Sequence, residues 1–281
     1  MTGVDGTGLG SAASRDVPRL IACDVDGTLI TTRHQLTSGT IAAVRWAVDV
    51  GVRFVLVTSR PPIAIRALLS ELGLVGPGEH PFVSCQGALI GSYAETGELR
   101  IRHQSPMPVH LAQQVVAGLP DGLALNWYAG TRWLVGAIDE LVEEEAAIVR
   151  CDPEVADLAV ETIGPDKLLV LAPATRTHLL DAVVIPDGLM AVRSTDTHLE
   201  VTRAGVDKAA ALLGLCAELG VAPEQVAAIG DGANDRTMLA SVGTAVAMGN
   251  AVAELSETAD LTTTSNDDDG VARAIDQLLR D

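Results

Sequence analysis

The stretch Leu20-Ile21-Ala22-Cys23-Asp24-Val25-Asp26-Gly27-Thr28 decides the fold. Its first four residues form a short apolar run, the signature of a buried strand. The run then breaks to two aspartates one residue apart, a glycine and a threonine. Successive residues leaving a strand alternate in direction, so Asp24 and Asp26 can aim at one small site. Gly27 allows a tight turn, and the loop amides around Thr28 can cradle an anion.

Outward from this stretch the chain alternates β-branched runs with longer helical ones, as crossover units of a parallel sheet do. Phe54-Val55-Leu56-Val57 reads as the next strand and Pro81-Phe82-Val83-Ser84-Cys85 as a third. Between them, Thr37 or Ser38 caps a helix closed by Gly51, and Pro61-Pro62 opens one that stops at Gly73. From about Gly91 to Arg193 the pattern changes to hairpins, Ser92–Arg102 and Ala124–Val135, with helices near Val109–Gly118 and Thr175–Val183. That predicts an α+β insert with its own antiparallel sheet. Crossover rhythm then returns: a helix over Val206–Leu219, a strand over Val226–Ile229, a helix from Asn234, a strand over Thr244–Ala247 and a final helix over Val271–Leu279. The expected organisation is a tail over 1–18, a core over 19–91 and 193–281, and an inserted α+β domain over 92–192.

Open α/β sheets bind ligands at the carboxyl ends of their strands. The residues there are Asp24-Val25-Asp26-Gly27-Thr28, Thr58-Ser59-Arg60 and Gly230-Asp231-Gly232-Ala233-Asn234-Asp235, with Lys208 opening a helix. In this order they resemble the motifs of the haloacid dehalogenase-like superfamily: DxDGT, a Thr or Ser, a Lys, and GDGxND. The insert is similar to the C2-type cap of the Cof-type, class IIB branch. Further matches are Gly205-Val206-Asp207-Lys208, Ala247-Met248-Gly249-Asn250-Ala251 and Asp268-Asp269-Gly270-Val271.

The resemblance implies a Rossmann-like core and a phosphomonoesterase working through an aspartyl-phosphate. Asp24 would be the nucleophile and Asp26 the general acid, then the base. Thr58 and Lys208 would stabilise the phosphoryl group. Asp24, the backbone carbonyl of Asp26, and Asp231 would hold Mg²⁺, with Asp235 a further ligand or a neighbour of one. Gly27, Thr28, Ser59, Arg60, Gln86, Gly87, Asn234 and Asn250 are expected around the substrate. Four carboxylates, one lysine and Mg²⁺ sum to a negative charge, which favours a protonated Asp26 in the substrate complex. The family's usual Gly is Ser59 here, and its usual Asn-Gly-Ala is Gln86-Gly87-Ala88, both on the expected leaving-group side.

Specificity is expected to reside in the insert. Trp127, Tyr128 and Trp133 crowd one hairpin in a chain with only seven aromatics in all. They read either as the insert's small core or as a surface on which Trp127 or Trp133 stacks against a leaving group. Arg132 and the run Glu143-Glu144-Glu145 read as solvated, or as further polar contacts.

The formal net charge of -18 opposes a nucleic acid or an anionic membrane surface. A small phosphorylated metabolite, such as a sugar phosphate, is the expected partner, bound by a monomer or homodimer. Four cysteines more than sixty residues apart give neither a zinc spacing nor a disulfide framework, which fits a reduced cytoplasmic setting. The first seventeen residues lack the basic and apolar regions of a signal peptide and read as a flexible tail. Alternatives to a phosphatase are a phosphosugar mutase of the same superfamily, or a low-turnover regulator that uses a phosphoaspartate or binds a metabolite. Cys-x5-Arg chemistry fails at Cys23, since Leu29 stands where the arginine would, and no P-loop lysine exists.

Overall fold

The computed structural model describes residues 17–76 and 80–280. Most of the expected tail therefore lies outside the described residues. The chain enters the core on β1 (Leu20–Cys23), crosses through α1 (Ser38–Asp49) to β2 (Arg53–Leu56), and continues through α2 (Pro62–Leu72). Thr37 Oγ1 caps α1 by accepting from the Thr40 amide at 3.0 Å. Gly73 ends α2 at φ 81°, a conformation that suits a residue without Cβ.

A small antiparallel sheet follows: β3 (Phe82–Ser84), β4 (Leu89–Tyr93) and β5 (Leu99–Gln104). The expected third parallel strand is thus β3, which pairs with β4 and touches the main sheet through a single bridge between Val57 and Val83. The hairpin predicted over Ser92–Arg102 is β4 and β5 of this sheet, not part of the insert's own.

The insert comprises α3 (Val109–Ala117), β6 (Ala124–Ala129), β7 (Arg132–Val135), α4 (Glu140–Val149), β8 (Glu154–Val155), β9 (Lys167–Leu171), β10 (Leu189–Thr195) and β11 (His198–Arg203). The helix expected over Thr175–Val183 is a 3₁₀ turn over Thr177–Ala182. The strands form one sheet ordered β10-β11-β9-β6-β7-β8, antiparallel except where β7 meets β8. The return to the core, expected at residue 193, comes after Arg203. The polar run Arg193-Ser194-Thr195-Asp196-Thr197 turns a hairpin, and β11 then pairs with β9 as well as β10.

The core resumes with α5 (Lys208–Leu219), β12 (Val226–Gly230), α6 (Arg236–Ala240), β13 (Thr244–Ala247), α7 (Ala253–Thr258), β14 (Leu261–Thr262) and α8 (Gly270–Arg280). Its sheet is fully parallel in the order β14-β13-β12-β1-β2. Alternate residues of β1 feed apolar clusters on the two faces: Ile21 and Cys23 on one, Leu20 and Ala22 on the other. The register decides the site. Cys23 stands opposite both Ile229 and Leu56, so the loops carrying Asp24, Asp231 and Thr58 leave the sheet at one edge. No helix among the described residues is long and apolar enough to cross a membrane.

Both tryptophans belong to the cap's interior. Trp127 is fully buried in the cluster on one sheet face, while Trp133 pairs across the hairpin with Tyr128 and is buried on the other. The turn at Gly130 puts them on opposite faces. Their indole N–H groups are satisfied internally, Trp127 donating to the Ile163 carbonyl and Trp133 to Asn126 Oδ1.

Candidate active site

The floor of the site is a buried ion cluster at the carboxyl edge of β1 and β12. Lys208, 1% exposed, donates to Asp24 Oδ1 at 2.6 Å and to Asp235 Oδ1 at 2.7 Å. Asp207 caps α5 by accepting from the Ala210 amide at 2.7 Å, which fixes the helix start that presents Lys208. Asp235 Oδ2 accepts from the Asp231 and Gly232 amides at 3.1 and 3.0 Å, closing the turn after β12. Oxygens of Asp24, Asp231 and Asp235 lie within 4.8 Å of one another, a set that could hold a metal ion.

The loop around Gly27 is tailored to Asp231. Gly27 has φ +78°, and a Cβ there would fall 2.2 Å from Asp231 Oδ2, so any other residue would push into that carboxylate. Thr28 Oγ1 donates to Asp231 Oδ1 at 2.9 Å, and Asn250 Nδ2 donates to the Gly27 carbonyl at 2.8 Å. Thr28 and Asn250 therefore set the Asp231 carboxylate and the Gly27 loop. Asn234, by contrast, lines the cavity.

Charge and burial shape the protonation of this floor. Burial, together with the neighbouring Asp235, raises the Asp24 carboxyl well above the usual range, against the pull of Lys208. Burial pushes Asp231 up to about 6. Lys208 is held above its ordinary value, since Asp235 and Asp24 outweigh the cost of burying its ammonium. Burial keeps the Cys23 thiol neutral, as befits a core residue.

Asp26 is not a neutral acid in this structure. Arg60 Nε and Nη2 donate to its two oxygens at 2.8 and 2.6 Å, and His34 Nδ1 stands 4.0 Å from Oδ1. Burial alone would raise the Asp26 carboxyl, but the Arg60 hydrogen bonds and charge outweigh it and lower the value. The charge sum anticipated protonation because it left out Arg60, whose bidentate guanidinium favours the carboxylate.

Ser59 and Arg60 line the cavity, while Thr58 is fully buried and its Oγ1 accepts from the Arg60 amide at 3.1 Å. Gln86 and Gly87 are turned away from the floor. Gln86 donates to Glu200 Oε2 at 3.1 Å, and a Cβ on Gly87 would lie 2.4 Å from the Asp207 carbonyl, so this glycine serves close packing against the α5 start. The cap closes the cavity with Glu145, Lys167, Glu200 and His198. The last three carry no signature in the local sequence pattern, whereas Glu145, readable as solvated or as a further polar contact, takes the second role. The one signal in the letters was Lys167, one of only two lysines in the chain. Trp127 and Trp133 do not reach the cavity.

Residues 21–275 match the haloacid dehalogenase-like hydrolase family. The chain is 30% identical to the 5-amino-6-(5-phospho-D-ribitylamino)uracil phosphatase YcsE of Bacillus subtilis, over 92% of this chain and 94% of that protein. It is 26% identical to the phosphatase YwpJ of the same organism, over 93% of this chain and all of that one. A haloacid dehalogenase-like hydrolase from Bacteroides thetaiotaomicron superposes with a TM-score of 0.84 at 28% identity, covering 93% and 99% of the two chains. The HAD subclass IIB sugar phosphatase BT4131 shares the fold, with a TM-score of 0.76 at 21% identity over 92% and 98%. With a parallel core, a mixed-sheet cap and this carboxylate floor, the chain belongs to the haloacid dehalogenase-like hydrolases.

Proposed function

We propose that the protein is a Mg²⁺-dependent phosphomonoesterase that hydrolyses a small sugar-type phosphate through an aspartyl-phosphate. The observation that carries this reading is the placement of Asp24, Lys208, Asp231 and Asp235 in one buried cluster at the strand edge, opening onto a cavity of about 420 Å³. That volume lies within the ~300–1,000 Å³ usual for small-molecule sites.

The donor set fits a hard cation. It consists of carboxylate oxygens of Asp24, Asp231 and Asp235 gathered around the single ammonium of Lys208, so the formal charges leave the site negative. Asp24, Asp231 and the Asp235 region would hold Mg²⁺, which when bound supplies charge neutralisation to the phosphoryl oxygens. The chain's own groups do the rest. Asp24 forms the new bond to phosphorus while the bond to the leaving oxygen breaks, and Asp26 gives that oxygen its proton. Water then attacks the aspartyl-phosphate, returns a proton to Asp26 and frees Asp24 with inorganic phosphate. Lys208 holds Asp24 in place, and the Thr58 hydroxyl, which only accepts from Arg60, keeps its own proton for a phosphoryl oxygen. Because Arg60 holds Asp26 as a carboxylate, Arg60 must first release one of its oxygens and Asp26 must take up a proton from solvent before it can give one to the leaving oxygen. This couples the acid to what fills the leaving-group side.

Two relatives are named for phosphatases of a phosphorylated ribitylamino-uracil, so that compound joins sugar phosphates in the test. A Mg²⁺-dependent screen should release phosphate, and EDTA should stop it. Asp24→Asn should lose turnover by at least about 10³-fold and fail to trap phosphate on the chain. Near-wild-type turnover in that variant would sink the reading.

A further inference from the structure

Above the carboxylate floor, the cap side of the same cavity is built by Glu145 of α4, Lys167 at the start of β9 and Glu200 of β11. All three are buried, at 7%, 3% and 5% exposure. Their hydrogen-bonding capacity is only partly used. Glu145 Oε1 accepts from the Tyr128 hydroxyl at 3.1 Å, and Glu200 Oε2 accepts from Gln86 at 3.1 Å. Lys167 Nζ lies 3.6 Å from Glu200 Oε2 and 5.5 Å over the Tyr128 ring. Among the described residues no acceptor stands within hydrogen-bonding distance of Lys167 Nζ, and none donates to Glu145 Oε2 or Glu200 Oε1. Among the described residues no side-chain nitrogen or oxygen is both sealed and unpartnered, so these atoms are open to the space the residues line.

Buried charges with open hydrogen-bonding positions are costly until a ligand fills them. Lysine can only donate and carboxylates can only accept, whereas a hydroxyl does both. The three formal charges sum to -1, and Lys167 already faces Glu200, so a second phosphate or carboxylate meets net repulsion. No Phe, Tyr or Trp lines the cavity among the described residues, so a flat heterocycle would find only the His34 and His198 rings and the Arg60 guanidinium, already committed to Asp26, to stack on.

The geometry points to Glu145, Lys167 and Glu200 as the specificity-determining subsite for an uncharged, polyhydroxylated leaving group, a sugar or sugar alcohol bearing one phosphate. The subsite spans both parts of the molecule, because Gln86 of the core holds Glu200 of the cap. This assignment rests on the phosphomonoesterase reading of the floor, and the test separates the two.

The full chain with Mg²⁺ is assayed on p-nitrophenyl phosphate, on sugar and sugar-alcohol monophosphates, and on the matching bisphosphates. p-Nitrophenyl phosphate offers the subsite no hydroxyls and reports on the floor; absence of turnover on it and on every other ester overturns both readings. The subsite predicts monophosphates preferred over bisphosphates by about tenfold or more in kcat/KM. Glu145→Gln, which keeps an acceptor for Tyr128, should lower the kcat/KM ratio of the best polyol phosphate to p-nitrophenyl phosphate by at least about fivefold, chiefly through KM. A smaller change in that ratio, or a preference for bisphosphates, overturns the subsite while leaving the phosphatase reading intact. Lys167→Met should act in the same direction; if it fails to fold, Glu145→Gln decides.

Discussion

At the scale of single residues, the floor is governed by one ammonium among buried carboxylates. Removing it strands Asp24 and Asp235 without the cation that both contact. Lys208→Met should therefore cost about 3–5 kcal/mol of unfolding free energy in metal-free protein, as breaking a buried pair from one side does. Adding Asp235→Asn should recover part of that loss, and urea titration of the single and double variants measures it. A loss under about 1 kcal/mol, the range of an exposed pair, would contradict the buried-cluster description. Asp231 gives a pH signature. Its folded value of about 6 lies above the ordinary 3.8, so its contribution to stability is fully present below about pH 4 and is lost as pH rises through 6. In metal-free protein, the stability of wild type relative to Asp231→Asn should decline across that window. A flat difference would refute the shift. The pair Asp24 and Asp26, their turn at Gly27, Lys208 and Asp231 were legible in the letters because each sits in a short local pattern at a strand end. The state of Asp26 was not, because it depends on where the Arg60 guanidinium reaches.

At the scale of elements, the hairpin of β6 and β7 resolves the two readings of its aromatics. Tyr128 and Trp133 stack at 5.5 Å between centroids on the sheet face that also carries Val142 and Val149 of α4, and Trp127 fills the other face. Trp127→Ala and Trp133→Ala should each destabilise the fold by about 3–5 kcal/mol, the usual cost of emptying a buried aromatic site. At temperatures where the variants remain folded, their KM should stay within about twofold of wild type. A large KM change in well-folded Trp127→Ala would restore the stacking role. Alternation along a strand is local and readable, but which residues share a face across a hairpin depends on the turn register, which spacing alone leaves open. The same limit explains the late end of the cap. Arg193 to Thr197 looks like a linker by composition, yet it is a turn inside a continuing sheet.

At the scale of the whole molecule, the site joins residues far apart in sequence. Lys208 reaches Asp24 across 184 positions, and Gln86 reaches Glu200 across 114. The parallel core was readable because each strand and crossover helix announces itself locally, and the register then gathers the strand ends. The cavity's cap wall was not, because it depends on how a second sheet sits over the first, a packing fact with no local pattern. The net charge of -18 likewise says what the surface repels at long range and nothing about a pocket lined by Arg60 and Lys167.

Both of the chain's lysines lie inside, Lys208 in the floor and Lys167 in the cap wall, and its other formal cations are arginines. Outside the cavity, the described surface therefore presents no lysine amine to an acylating reagent until the molecule opens. Lys167, which lines the cavity, should acquire label when the cap lifts, and Lys208 only when the core itself unfolds. Timed labelling read by mass spectrometry should show Lys167 before Lys208. Labelling of Lys208 as fast as Lys167 would be incompatible with the buried cluster. Two buried lysines thus serve as separate clocks for the opening of the two sheets that enclose them.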